Sequence, residues 1–195
     1  MKKVLNVGGN SKEIPLPPPY AEFEHLLLDI DPKTSPDILC DARDLGKFEP
    51  AQFDAVYCSH NLEHYYRHDI PKVLAGFLHV LKDNGFAHIR VPDIMEVMRV
   101  ATEKRLDVDD VIYQADAGPV LVIDVLYGLS SEIERSGVDF FAHKTGFTLK
   151  SLLKALTQAG FSKLYGSTGN FQVSALAFKG QPDEATRALF KLPPD

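Results

Sequence analysis

The sequence predicts an α/β fold: a doubly wound, mostly parallel sheet closed by a C-terminal antiparallel hairpin. Two observations carry this reading. Five short apolar runs, at 3–7, 26–30, 37–40, 55–58 and 86–91, are bounded by Gly, Pro, Asp or Asn. They are apolar at nearly every position, as strands covered on both faces of a parallel sheet are. Two later runs, 161–165 and 171–178, flank Gly166-Ser167-Thr168-Gly169-Asn170, a hairpin signal that brings the strand count to seven. A chain of 195 residues can bury one core without disulfide or metal staples. A single domain over 1–195 is therefore expected.

The helices follow from period and punctuation. After Asp69 as a candidate N-cap, Ile70, Val73, Leu74, Phe77, Leu78 and Leu81 share one helical face, and Asn84-Gly85 reads as the stop. Thr148 can cap a second helix carrying Leu149, Leu152, Leu153 and Leu156, ended by Gly160. Pro15-Leu16-Pro17-Pro18-Pro19 cannot be helix and reads as an extended connector. The stretch at about 94–141 is expected to be a helical, substrate-covering insertion, with helices over 95–105, 120–127 and 130–135. Tyr113 and Tyr127 are its candidates for shaping an acceptor pocket.

Composition narrows the function. The 21 Lys+Arg against 27 Asp+Glu give a net charge of −6, which argues against a general nucleic-acid binder. Cys40 and Cys58 lack disulfide-scaffold density and metal spacing, so both are expected to be buried free thiols, suited to a reducing cytosol. The apolar window 120–129 is broken by Asp124 and is too short to span a bilayer. No membrane association and a cytoplasmic location are the expectation.

In an open parallel sheet, ligands bind outside the carboxyl ends of the strands. The first run ends in Gly8-Gly9-Asn10-Ser11, where glycine permits positive φ and close approach of a ligand. The second ends in Asp29-Ile30-Asp31, where a carboxylate can accept both ribose hydroxyls or serve only as a solvated turn acid. Asp41-Ala42 closes the third; an acid there can receive an adenine amino group or simply cap a loop. The fourth ends in Ser59-His60-Asn61-Leu62-Glu63-His64. Two histidines beside Glu63 raise the question of a metal, but spacing offers no third ligand, and none is expected. There is no G-x-G-x-x-G, P-loop or G-x-S-x-G motif. A site for a nucleoside without a pyrophosphate remains.

In order and spacing, these segments resemble the class I S-adenosylmethionine-dependent methyltransferases. The likeness is greatest to the small branch with Leu62-Glu63-His64 after the fourth strand, and it extends through Val80-Leu81-Lys82-Asp83-Asn84-Gly85 and His143-Lys144-Thr145-Gly146-Phe147-Thr148. The resemblance implies a Rossmann-like methyltransferase fold with S-adenosylmethionine as cofactor. It implies that Gly8, Gly9 and Asn10 line the methionine and ribose portion, and that Asp29 binds the ribose with Ile30 on the adenine. It further implies that Asp41 meets the adenine amino group beside Ala42, and that Ser59 and His60 lie near the sulfonium.

Two positions depart from the family pattern: Asn6 stands where an acid is common, and Asn10 where a glycine is. If the acceptor must lose a proton, His60 and His143 are the candidate bases. The expected activity is methyl transfer to a small molecule or modest polymer. A non-catalytic binding or assembly protein on the same fold is the alternative. A dinucleotide oxidoreductase is disfavoured by the missing third glycine and the closing hairpin.

Overall fold

The computed structural model describes residues 1–115 and 118–193. Residues 116–117, within the expected insertion, and 194–195 lie outside the described residues. The chain begins with β1 (Lys2–Val7), β2 (Phe23–Asp29), the short β3 (Ile38–Leu39) and β4 (Phe53–Ser59). Then come α1 (Ile70–Val80), β5 (Leu81–Pro92), α2 (Ile94–Lys104), the hairpin β6 (Val111–Ala115) and β7 (Gly118–Leu121), α3 (Val122–Tyr127) and α4 (Ser130–Ser136). The last elements are α5 (Leu149–Ala159), β8 (Lys163–Gly169), β9 (Gln172–Phe178) and α6 (Glu184–Phe190).

Seven strands form one sheet in the order β3-β2-β1-β4-β5-β9-β8. Pairing is parallel up to β5 and antiparallel for β5–β9 and β9–β8, as the sequence predicts. Val7 lies opposite both Leu28 and Cys58, so β1, β2 and β4 end level with one another. That register brings the residues after each strand to one rim.

Alternation within β1 sorts the two cores. Leu5 and Val7 face α1 and α5, packing with Val73, Leu74, Phe77, Leu152 and Leu156. Burying each such side chain contributes about 1.5–3 kcal/mol. Val4 faces the other way, with Ala55, Tyr57 and Phe86. That face receives no full crossover helix between β1 and β2. The proline-rich segment holds only a single 3-10 turn, Pro18–Tyr20, whose Tyr20 ring packs on Phe23, Tyr57 and Phe86. Tyr20 Oη lies 3.1 Å from His88 Nδ1, and Ser174 Oγ lies 3.1 Å from His88 Nε2. Burial, with Arg90 nearby, pushes the His88 pKa down to about 4.

Four local expectations need correction. Asp69 precedes α1, but its side chain makes no cap bond; its carboxylate accepts from Arg43 Nη1 at 3.2 Å instead. The helix stops at Val80, and Asn84-Gly85 lie inside β5, where the pairing with β4 shifts register. The insertion is not all helix. Val120 and Leu121 belong to β7 because they pair with β6, and α3 starts only at Val122. These elements pack a separate apolar cluster of Val97, Val100, Ile112, Val122 and Val125. Lastly, both cysteines are free, but only Cys58 is buried; Cys40, beside the edge strand β3, is half-exposed. Thr148 caps α5 with a capping box to Ser151, and Gly160 ends it in the left-handed conformation, as expected. Among the described residues no helix is long and apolar enough to cross a membrane.

Candidate functional site

The level ends of β1, β2 and β4 open into a cavity of about 600 Å³, a size typical of small-ligand sites. Gly8, Gly9, Asn10, Asp29, Ile30, Ser59 and His60, all predicted site residues, line it. Gly8 has φ +69°, and a Cβ there would stand 2.0 Å from Asn61 Nδ2. The turn thus demands glycine on two counts. Asn10 also takes a left-handed conformation, with φ 62°. Asparagine tolerates this better than most side chains, so its departure from the family's glycine preserves the turn.

Asp29 is 8% exposed. Its Oδ2 accepts from the Asn10 backbone N–H at 3.3 Å and its Oδ1 from that of Asp31 at 2.9 Å. The carboxylate is therefore pinned against the glycine turn, and each oxygen keeps capacity for another donor. That fits a vicinal diol. Asn6 also lines the cavity, its amide Nδ2 3.1 Å from His25 Nε2.

Asp41 and Ala42, expected beside the adenine, are not among the cavity's lining residues. The Asp41 carboxylate caps the following 3-10 turn through Arg43 N at 2.9 Å and pairs with the Arg43 guanidinium, Nη2 to Oδ2 2.7 Å. Burial alone would raise its pKa, but Arg43 holds it below the usual carboxylate value. Ala42 is buried in the core. Arg43 and Asp69 line the cavity instead. Ile14, Pro15 and Leu16 of the proline-rich connector also line it, where sequence reasoning saw only a linker.

The other end is built from β4's continuation and the loop before α5. His60 has φ 50°, and its backbone N–H donates to Arg90 O at 2.8 Å. Gln172 Oε1 accepts from Arg90 Nη2 at 2.7 Å and lies 3.1 Å from His60 Nε2. His60 Nε2 is therefore the donor of that pair, and Nδ1 faces Glu63 Oε1 at 3.5 Å. Burial lowers the His60 pKa, but Glu63 outweighs it and the net shift is upward. Glu63 is only 1% exposed, yet neither carboxylate oxygen accepts a hydrogen bond.

His143 is not among the lining residues but lies behind the floor, with Nε2 4.0 Å from Glu63 Oε1. Its Nδ1 donates to Val125 O at 2.9 Å. Burial pushes its pKa down. Tyr113 and Tyr127 do not line the cavity either; Tyr113 stacks on Phe171, and Tyr127 is 66% exposed. Among the described residues of the expected insertion only Asp139, Phe140 and Phe141 reach it, joined by Lys144, whose Nζ pairs with Asp139 at 3.0 Å.

Residues 24–89 match the family model described as a methyltransferase domain. No curated protein matches the sequence. Among solved structures, a SAM-dependent methyltransferase from Archaeoglobus fulgidus is 14% identical, with TM-score 0.57, over 90% of this chain and 85% of that one. A SAM-dependent methyltransferase from Methanosarcina mazei is 15% identical, with TM-score 0.54, over 92% and 93%. The Burkholderia thailandensis 1,6-didemethyltoxoflavin-N1-methyltransferase, solved with bound 1,6-didemethyltoxoflavin and S-adenosylhomocysteine, is 15% identical, with TM-score 0.52, over 92% and 72%. The chain has the Rossmann-like methyltransferase fold. Family match and fold agree with the class I S-adenosylmethionine-dependent methyltransferase resemblance.

Proposed function

We propose that this protein is an S-adenosylmethionine-dependent methyltransferase acting on a small molecule in the cytoplasm. The observation that carries the reading is the Asp29 carboxylate, held by two backbone N–H groups beside a glycine turn at the rim of a 600 Å³ cavity. When bound, the cofactor supplies a methyl group on a positively charged sulfur, already activated for in-line displacement.

The protein's own task is then alignment, for which effective molarity can supply about 7–11 kcal/mol of the barrier. Asp29 accepts the ribose hydroxyls, Ile30 packs on the adenine, and Gly8 and Gly9 let the backbone approach. Ser59 and His60 stand at the end of β4 nearest the acceptor side. If the acceptor carries a proton, His60 is the group placed to take it. Lys144, Phe140 and Phe141 cover that side and favour a flat or anionic small molecule over an extended polymer. The left-handed φ of Asn10 keeps the glycine turn open to the cofactor, which supports the catalytic reading.

Calorimetric titration of the folded chain with S-adenosylmethionine, S-adenosylhomocysteine and NAD tests the proposal. Heat with the first two and none with NAD is expected. No heat with either sulfur compound would move the protein to the non-catalytic alternative.

A further inference from the structure

Behind the acceptor end of the cavity the fold brings a distant histidine onto two neighbouring residues. Glu63 and His64 follow β4, and His143 arrives from the loop before α5. One ligand-capable atom of each lies within 4.8 Å of the others. We propose that Glu63, His64 and His143 form a binding site for a divalent transition-metal ion, with Zn²⁺ the best match. This departs from the sequence expectation of no metal, which rested on the lack of a third ligand in the local spacing.

The first argument is the carboxylate. Glu63 is buried, and neither of its oxygens accepts a hydrogen bond. A buried unpartnered polar group calls for an explanation, and an ion is among the few available. Glu63 O accepts from Lys144 N at 2.8 Å and Thr145 N at 3.1 Å, so the loop clamps the backbone, while the side chain has only the imidazoles of His60 and His143 beside it, at 3.5 and 4.0 Å.

The second argument is the state of the rings. His143 Nδ1–H is committed to Val125 O, which fixes the tautomer and leaves an Nε2 lone pair on the Glu63 side. A backbone carbonyl on the far nitrogen is the usual outer support of a metal-bound histidine. His143 N also donates to Tyr127 O at 3.0 Å, so the residue is held at backbone and ring alike. His64 has a carbonyl at each nitrogen, Ala142 O at 3.1 Å from Nδ1 and His60 O at 3.2 Å from Nε2. A neutral ring can donate to only one, so the other nitrogen keeps a lone pair facing a carbonyl oxygen, a repulsive contact that a turn of the ring toward Glu63 would relieve.

The donor set selects the ion. One carboxylate oxygen with two imidazole nitrogens suits zinc-like ions rather than magnesium or calcium. Tetrahedral bonds of about 2.1 Å put ligand atoms about 3.4 Å apart, so separations of up to 4.8 Å must close on binding, chiefly by the His64 ring turning from its carbonyl toward Glu63. His64 lines the cavity, which places the ion between the buried carboxylate and the acceptor. There it would either staple the α3 segment to the cavity floor or polarise a bound oxygen. The chief rival is a proton: an imidazolium at His60 balancing Glu63 without any metal.

The test uses the untagged full chain, stripped with chelator and titrated with Zn²⁺ alone, so the outcome is separate from that of the cofactor titration. One ion per chain is expected. Glu63→Gln, which removes no imidazole, should weaken binding at least about tenfold, and His143→Gln should do the same. His68→Gln, at a side chain 80% exposed, should change nothing. Should Glu63→Gln not fold, His143→Gln and the Co²⁺ form of the native chain decide. Intense visible bands at one equivalent support the site; a pale six-coordinate spectrum contradicts it. Absence of Zn²⁺ binding, or binding untouched by both substitutions, overturns the proposal in favour of the His60–Glu63 ion pair.

Discussion

The two ends of the cavity bury a carboxylate each and treat it in opposite ways. Asp29 accepts from two backbone N–H groups supplied by its own turn and the neighbouring one. Glu63 is more deeply buried and accepts none. Leaving a buried acceptor without a partner costs about 1–3 kcal/mol, and folds retain such a group where it does something else. The Asp29 end is complete within the protein apart from its ligand. The Glu63 end is completed only by His60, His143 or an ion. His88, on the far face of the sheet, is a third case: a half-buried titratable group with a hydroxyl at each ring nitrogen, kept neutral.

The largest expected effect breaks the Asp29 end outright. Gly8→Ala combines the strain of a left-handed alanine with overlap on Asn61, together about 3 kcal/mol of lost stability or more. Chemical denaturation should show it, and cofactor-product binding should fall with it. An alanine variant of native stability and affinity would mean the turn is not the rigid wall described.

Next is the neutral His88. An unfolded imidazole protonates below its usual 6.5, whereas the folded one does so only near 4. Between these values the unfolded chain binds more protons, so stability is full above pH 6.5 and falls as pH drops toward 4. The loss should be about 2–3 kcal/mol, read from urea midpoints. A His88 ring resonance titrating near 6.5 in the folded protein would contradict it. The smallest effect sharpens the boundary of the site: Tyr127→Ala should change stability by less than about 0.5 kcal/mol and leave ligand binding untouched.

How much of this was legible follows from what each residue depends on. Asp29 and Gly8 could be read because a parallel sheet levels the ends of its strands, and their neighbours in space are dictated by that topology. Asp41 stands off the cavity lining with its carboxylate on a guanidinium two residues on, a local competition that strand-end reasoning does not see. The 94–141 stretch read as helix because its short hairpin pairs only with itself, and Val120–Leu121 alone cannot distinguish strand from helix. His143 could be seen as a loop histidine but not as a neighbour of Glu63. That contact depends on Lys144 and Thr145 donating to the Glu63 carbonyl, which only the folded chain displays.

The sharpest trial of the cofactor reading is the affinity of S-adenosylhomocysteine for the native chain and for Asp29→Ala, measured side by side by calorimetry. Loss of two hydrogen bonds to a charged acceptor should weaken binding by about 1.5–3 kcal/mol, with the fold intact by circular dichroism. Equal affinities in the two proteins would show that the sugar is not held at the end of β2.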